Sequence, residues 1–280
     1  MLVSTLEQVQ KYLPSFNLKV KVDRLKDFLA YAQEWLVDHI LGEDIEALLE
    51  AAISGETDPH EELRTKVSRA ICALAYLTVM AEMDLQLSEA GFVVQNNQGM
   101  SPASQQRTDR FVQSLHNRLT ADCDAIIKYL LKTAAYEEWR ETDQFAHLTE
   151  AFIPTMAIMR QYSGTAVQLY RWQDFYDSIP KMVEALRGPV ANYISNDEVD
   201  ALLQLYRMKG LSDPQKKVLR WIRMSVMAHV AGTTNADHFA IEARNFMLEH
   251  ESAFPEFVSS DRYELPKPFD FGDGTVANCL

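Results

Sequence analysis

The sequence predicts an all-α protein made of two related helical units. Apolar residues recur three to four positions apart along almost the whole chain, the spacing that lines one face of a helix. Glycine and proline are few and gather where that spacing breaks. One pattern also occurs twice. Ile40–Glu50 aligns with Ile194–Gln204 at an offset of 154 residues, each copy reading isoleucine, a short polar break, two acids and a helix ending in Ala-Leu-Leu. Asp58-Pro59 matches Asp213-Pro214 at 155, and Leu63, Val67, Ile71 and Ala73 stay in phase with Val218, Ile222, Val226 and Ala228. A one-residue slip over so long a span points to an internal duplication, against the alternative of two unrelated amphipathic hairpins.

In the first unit, Leu25, Phe28, Leu29, Ala32, Leu36 and Ile40 form the stripe of one helix, and Gly42 stands where its C-cap belongs. A shorter helix is expected from Glu43 to Ile53. Asp58 can cap a third, with Pro59 at its first position and Glu61 at its third, as in a capping box. That helix should reach Met83 and form the buried centre of the unit, because it is apolar on most faces from Ala70 to Met80. The chain then changes character. Gly91-Phe-Val-Val94 followed by Gln95-Asn-Asn-Gln-Gly99 reads as a short extended segment or hairpin near 87–100 and a loop. Pro102 opens a long helix to Leu131 with Phe111, Leu115, Leu119, Ile126 and Leu130 inward, and Tyr136, Trp139 and Arg140 end the unit.

Period is lost from Glu141 to Ile153, which places a boundary there and gives units at 1–140 and 141–252. Second-unit helices are expected over Thr165–Leu186, Asp197–Met208, Asp213–Ala231 and His238–His250, with Ser212 and Gln215 as a capping box. Met156, Met159, Met208, Met224 and Met227 are expected to fill core space. Residues 253–280 read as an extended C-terminal arm. Its aromatics Phe254, Phe257, Tyr263, Phe269 and Phe271, set between prolines, suit anchors in a neighbouring subunit, while packing on its own domain is the other reading.

Composition bounds the function. With 27 basic against 40 acidic residues the formal charge is −13, which argues against a phosphate-binding footprint and suits a self-repelling surface or a basic partner. Cys72, Cys123 and Cys279 show no metal-ligand spacing and fit a reducing compartment. No signal peptide or bilayer-spanning stretch is expected, the longest apolar run being Ala70 to Ala81.

The search for chemistry yields little. His39, His60, His116, His147, His229, His238 and His250 have no HExxH-like spacing, and there is no nucleophile elbow, P-loop or dinucleotide fingerprint. The acid pairs Glu43-Asp44 and Asp197-Glu198 lie where helices begin, so helix-dipole stabilisation of up to about 1 kcal/mol explains them better than acid–base work does.

A resemblance completes the reading. The break Ile40-Leu-Gly-Glu43, the alanine-rich helix after it, Leu87-Ser-Glu-Ala-Gly-Phe-Val-Val94 and Ser101-Pro-Ala-Ser-Gln-Gln-Arg107 resemble a family of phage and prophage proteins of Bacteroidetes, similar to head-tail connector or ring (neck) proteins next to the portal. It covers residues 20 to 132. The second half has no counterpart of the last two motifs, which leaves open a single connector-like domain with an unrelated helical extension. The resemblance implies a non-enzymatic structural adaptor of a tailed-phage virion, made in the host cytoplasm and placed at the head-tail junction. It implies no catalytic residue, metal or cofactor. Its partners would be copies of itself in a ring, the portal protein, neighbouring neck or tail proteins, and DNA passing through the channel without sequence-specific binding, with no membrane. Ring closure requires two different faces on each subunit, which two divergent copies of one unit can provide. The alternatives are a cytosolic all-α interaction module and, behind it, an all-α enzyme using His229, His238 and Glu242.

Overall fold

A computed structural model describes residues 1–13, 23–52, 58–83, 86–88, 91–93, 105–163 and 171–264. The fold is all-α, with one short antiparallel hairpin among the described residues. The chain forms two compact units, Met1–His147 with Leu169–Tyr176, and Leu148–Gln168 with Asp177–Leu280. The division thus falls inside the aperiodic stretch 141–153, and a short later segment belongs with the first unit.

The first unit opens with helix α1 (Leu6–Tyr12), capped by Thr5 with Gln8 reciprocating. Helix α2 (Asp23–Leu36) buries Leu25, Leu29, Ala32 and Leu36 of the predicted stripe, leaves Phe28 half-buried, and widens into a π-helical turn over Val37–Leu41 that buries Ile40. Gly42 ends the turn with φ 77° and ψ 161°, its N–H donating to the Val37 carbonyl at 2.9 Å. Only glycine visits that region without strain. Helix α3 (Glu43–Ala51) follows, then α4 (Glu61–Met83). The predicted capping box at Asp58 does not form as such. Its carboxylate accepts the His60 N–H and pairs with the Arg64 guanidinium, which answers its charge one turn along. As expected, α4 is central: it packs on α1, α2 and α5 and buries Leu63, Val67, Ala70, Ile71, Cys72, Ala73, Ala75 and Val79.

Strands β1 (Gln86–Ser88) and β2 (Gly91–Val93) pair antiparallel, Leu87 opposite Phe92. Pro102 and the polar loop before it lie outside the described residues. Helix α5 (Gln105–Lys132) buries Leu115, Leu119, Ile126 and Leu130 as expected. An ion pair crosses from Arg69 on α4 to the buried Asp122 on α5 at 2.8 Å, and burial raises the Asp122 carboxyl while Arg69 opposes the rise. Two 3₁₀ turns carry the buried Tyr136 and Trp139. Where the sequence loses its period, helix α6 (Asp143–Thr149) still forms, burying Phe145 and Leu148.

Helix α7 (Met156–Ser163) opens the second unit and is not foreseen by the sequence pattern, although Met156 and Met159 are buried as predicted. Helix α8 (Trp172–Ala185) widens into a π-helical turn, Leu186–Val190, at Gly188 and Pro189, where proline lacks the N–H that a regular turn needs. Helices α9 (Ala191–Ile194), α10 (Asn196–Arg207), α11 (Asp213–Val230), α12 (Ala236–Glu249) and α13 (Pro255–Val258) complete the unit. The Ser212–Gln215 capping box is present. Helix α11 is the hub, packed against α7, α12 and the π-helical turn. Ser225 on α11 is fully buried and donates its hydroxyl to the Ala236 carbonyl at 2.8 Å. Ser225→Ala removes this second bond to a carbonyl that also serves the first turn of α12, and should cost about 1 kcal/mol in a urea titration. Met208 is not a core filler. It is 60% exposed, because it stands at the C-cap of α10, in the turn to α11.

Local features recur in order in the two units: a π-helical turn, a residue with positive φ and extended ψ, a short helix, then a long one. In this pattern the residues with positive φ and extended ψ are Gly42 and Ser195 (φ 68°, ψ 154°). Matching them sets the offset at 153, one less than sequence identity suggests. Ile45 then falls on Glu198 and Leu49 on Leu202, all four buried. On the long helices the 155 offset holds, with Leu63, Val67, Ala70, Ile71 and Cys72 matching Val218, Ile222, Ser225, Val226 and Met227, each buried.

Candidate functional site

Two concave surfaces lie on the first unit among the described residues. One is a cleft of about 760 Å³ between α2, α4, α5 and the start of α8. Leu74, Leu77, Val112 and Leu119 supply its apolar side, and Trp35 and Trp172 meet edge to face at 5.2 Å between ring centres. His39 stacks on Trp35 at 4.5 Å and hydrogen-bonds the Trp35 carbonyl through Nδ1 at 2.8 Å. A carbonyl only accepts, so the proton sits on Nδ1 and Nε2 is the acceptor in the neutral ring. His116, also on the cleft, is held below the usual histidine range, first by burial and then by the nearby Arg171 guanidinium. Arg171 therefore brings positive charge to a largely apolar, aromatic cleft suited to apolar or aromatic side chains.

The second surface is an acidic groove of about 620 Å³ bordered by Glu34, Asp38, Glu43, Glu46 and Glu50. Its floor is organised by the buried Gln33, which accepts the Leu2 N–H at 2.7 Å and donates to Glu46 at 2.5 Å and Glu50 at 3.0 Å. The Met1 ammonium also binds Glu50, and that bond, followed by Gln33, holds the Glu50 carboxyl below its ordinary range. Glu43 and Asp44 are exposed in the first turn of α3, as helix-dipole acids should be.

The C-terminal aromatics are placed differently from an anchoring arm. Phe254 and Phe257 are 0% exposed in the second unit, and α13 packs on α10. These rings are taken up by their own chain, and residues 255–258 are helical where an extended arm is predicted. Two phenyl rings buried by docking α13 bring more apolar area out of water than an extended arm in solvent would. Tyr263 meets Phe257 edge to face at 5.9 Å and donates its hydroxyl to Glu251 at 2.6 Å. Phe269 and Phe271 lie outside the described residues.

Three residues hold this segment in a role that the sequence pattern does not show. Glu198 is 1% exposed and accepts the Phe257 N–H at 2.9 Å. Gln215 donates to the Ala253 carbonyl at 2.9 Å, and the buried Arg244 reaches the Arg262 carbonyl through Nε and Nη2, each at 3.4 Å. So Glu198 is not the solvent-facing dipole acid that its pairing with Asp197 suggests. The sequence offset of 154 pairs it with the exposed Asp44, and only the conformational offset of 153 places it on the core position of Ile45.

The histidines stay apart. His229 pairs with Asp237 at 3.2 Å, His238 lies against Phe239, His60 contacts the Tyr136 hydroxyl, and His250 stacks on Phe246. No group of three potential metal ligands occurs among the described residues, so His229, His238 and Glu242 do not converge. Cys72 and Cys123 are buried, and burial pushes the Cys72 thiol up to about 12. No helix among the described residues is long and apolar enough to cross a membrane.

Residues 22–149 match a family of unknown function, DUF6712. The match takes in α2 to α6, both concave surfaces' α2 walls and the first of the two positive-φ breaks, and it covers less than half of the chain. No curated protein and no solved structure matches.

Proposed function

We propose that the protein is a non-enzymatic structural adaptor of a tailed-phage virion, a homo-oligomeric ring subunit between the portal and the tail. The observation that carries this reading is a difference in surface between two units with the same local order. The first unit has the acidic groove of Glu34, Asp38, Glu43, Glu46 and Glu50. The second exposes Lys216, Lys217 and Arg220 along α11. Head-to-tail contacts close into rings only with unlike, complementary faces, and opposite charge steers such an encounter. The resemblance at Ile40–Glu43, 87–94 and 101–107 supports the same reading, and these residues fall inside the family match. The remaining negative charge suits a channel past which DNA slides without sticking.

The test is the assembly state, with and without portal protein, by light scattering and electron microscopy. Discrete rings are expected. Replacing Lys216, Lys217 and Arg220 together by glutamate should dissolve them while leaving the circular dichroism spectrum intact. A monomer under all these conditions, or turnover lost on substituting His229 and His238, would overturn the proposal.

A further inference from the structure

We propose that Glu251–Glu264 is a strap closed over the second unit by Glu198, and that the strap loosens when this carboxyl loses its proton. Two aromatic plugs and three side-chain clamps hold the strap. Phe254 and Phe257 fill the core, while Glu198, Gln215 and Arg244 each bond to a strap backbone atom at residues 257, 253 and 262. Because the clamps grip backbone, the strap can detach as one piece once the two rings leave.

Among the clamps, Glu198 is the one that titrates near neutrality. It has no cationic partner among the described residues. The helices packed most closely on α10 are α9 and α13. Their ionisable residues are Tyr193 and Glu256, and on its own helix stand Asp197, Asp200, paired with Arg187 at 2.6 Å, and at its far end Tyr206 and Arg207, the latter bonded to the Thr149 hydroxyl at 3.0 Å. Burial dominates: it pushes the Glu198 carboxyl up from 4.5 to about 7, against the Phe257 N–H and with help from the Glu256 charge. A protonated carboxyl still accepts the Phe257 N–H, so closure does not require ionisation.

The sign follows from proton linkage. A closed strap keeps the proton up to about pH 7, whereas an open strap leaves Glu198 in water with its ordinary affinity of 4.5. Between these values the closed state binds more protons. Closure is therefore favoured at low pH, weakens as pH rises, and levels off above the closed-state value.

Hydrogen exchange of the full chain, corrected for intrinsic rates, tests this at about pH 6 and about pH 8.5. Amides of the strap should open about tenfold more at the higher pH, relative to those of α11. Glu198→Gln keeps the acceptor and removes the charge, so its strap should stay closed and show no pH dependence. Glu256→Gln, which leaves the buried carboxyl in place, should move the wild-type midpoint upward in the ease of ionisation, that is to lower pH. Equal wild-type protection at both pH values overturns the latch, as does an unchanged pH dependence in Glu198→Gln. If Glu198→Gln does not fold, an unmoved midpoint in Glu256→Gln overturns it.

Discussion

Replacing Trp139 by alanine is expected to destabilise the first unit by about 3 to 5 kcal/mol, the range for emptying the site of a buried large aromatic. The indole is 1% exposed and packs edge to face against Phe145 at 5.1 Å. It also donates Nε1–H to the Ile40 carbonyl at 2.7 Å. That carbonyl belongs to the π-helical turn that closes α2, where the final carbonyls of a helix lack partners of their own. Trp139 thus caps, from nearly a hundred residues away, the break that precedes α3. Trp139→Phe separates the two contributions. It keeps most of the ring volume but leaves the Ile40 carbonyl buried without this donor, for a cost of about 1 to 3 kcal/mol. Urea unfolding followed by circular dichroism measures both. Equal losses in the two variants would mean that packing contributes nothing beyond the hydrogen bond, and a loss below about 1 kcal/mol in the alanine variant would mean that Trp139 does not support the break.

The helices that sequence pattern made legible are those whose apolar period is long and clean. Leu25, Leu29, Ala32 and Leu36 on α2, and Leu115, Leu119, Ile126 and Leu130 on α5, all lie in the core. The π-helical turns were hidden, because one extra residue per turn leaves the apolar spacing almost unchanged. Gly42 follows Ile40 by two residues whereas Ser195 follows Ile194 by one, with α9 between the second π-helical turn and the break, so the isoleucines align at 154 and the positive-φ residues at 153. Met208 misled by residue type: an apolar side chain at a helix end need not face inward, and here it is exposed. The surfaces were the least legible part. Trp35 and Trp172 come together only through tertiary packing, and no local spacing announces their contact. Phe254 and Phe257 were legible as anchors, with packing on their own domain as one of the two readings, while the prolines around them obscured the short helix α13. Glu198 was hidden by its neighbour Asp197, which made a buried acid look like half of a solvent-facing pair.

The matched break residues allow a sharper test than either could alone. Gly42→Val should cost about 2 to 4 kcal/mol, combining backbone strain with crowding. Its φ of 77° is foreign to β-branched residues, and a Cβ there would lie 3.3 Å from Gln144 Oε1 and 3.4 Å from Thr142 Cγ2. Ser195 holds nearly the same conformation with a side chain, and its hydroxyl accepts the Glu198 N–H at 3.1 Å, capping α10. A hydroxyl at residue 42 can make the same bond to the first turn of α3, so Gly42→Ser should cost less than Gly42→Ala, which bears the strain without the cap. In the second unit the effect is reversed. Ser195→Gly relieves the strain, gives up a cap that glycine replaces at a loss of only a few tenths of a kcal/mol, and adds freedom to the unfolded chain, so it should change stability by less than about 1 kcal/mol. Ser195→Val loses the cap and keeps the strain, and should fall in the same range of about 2 to 4 kcal/mol as Gly42→Val. The expected order at both positions is therefore glycine and serine above alanine, with valine last. Should valine be tolerated at either residue as well as serine, the positive-φ break would not be the shared element on which the two units are built.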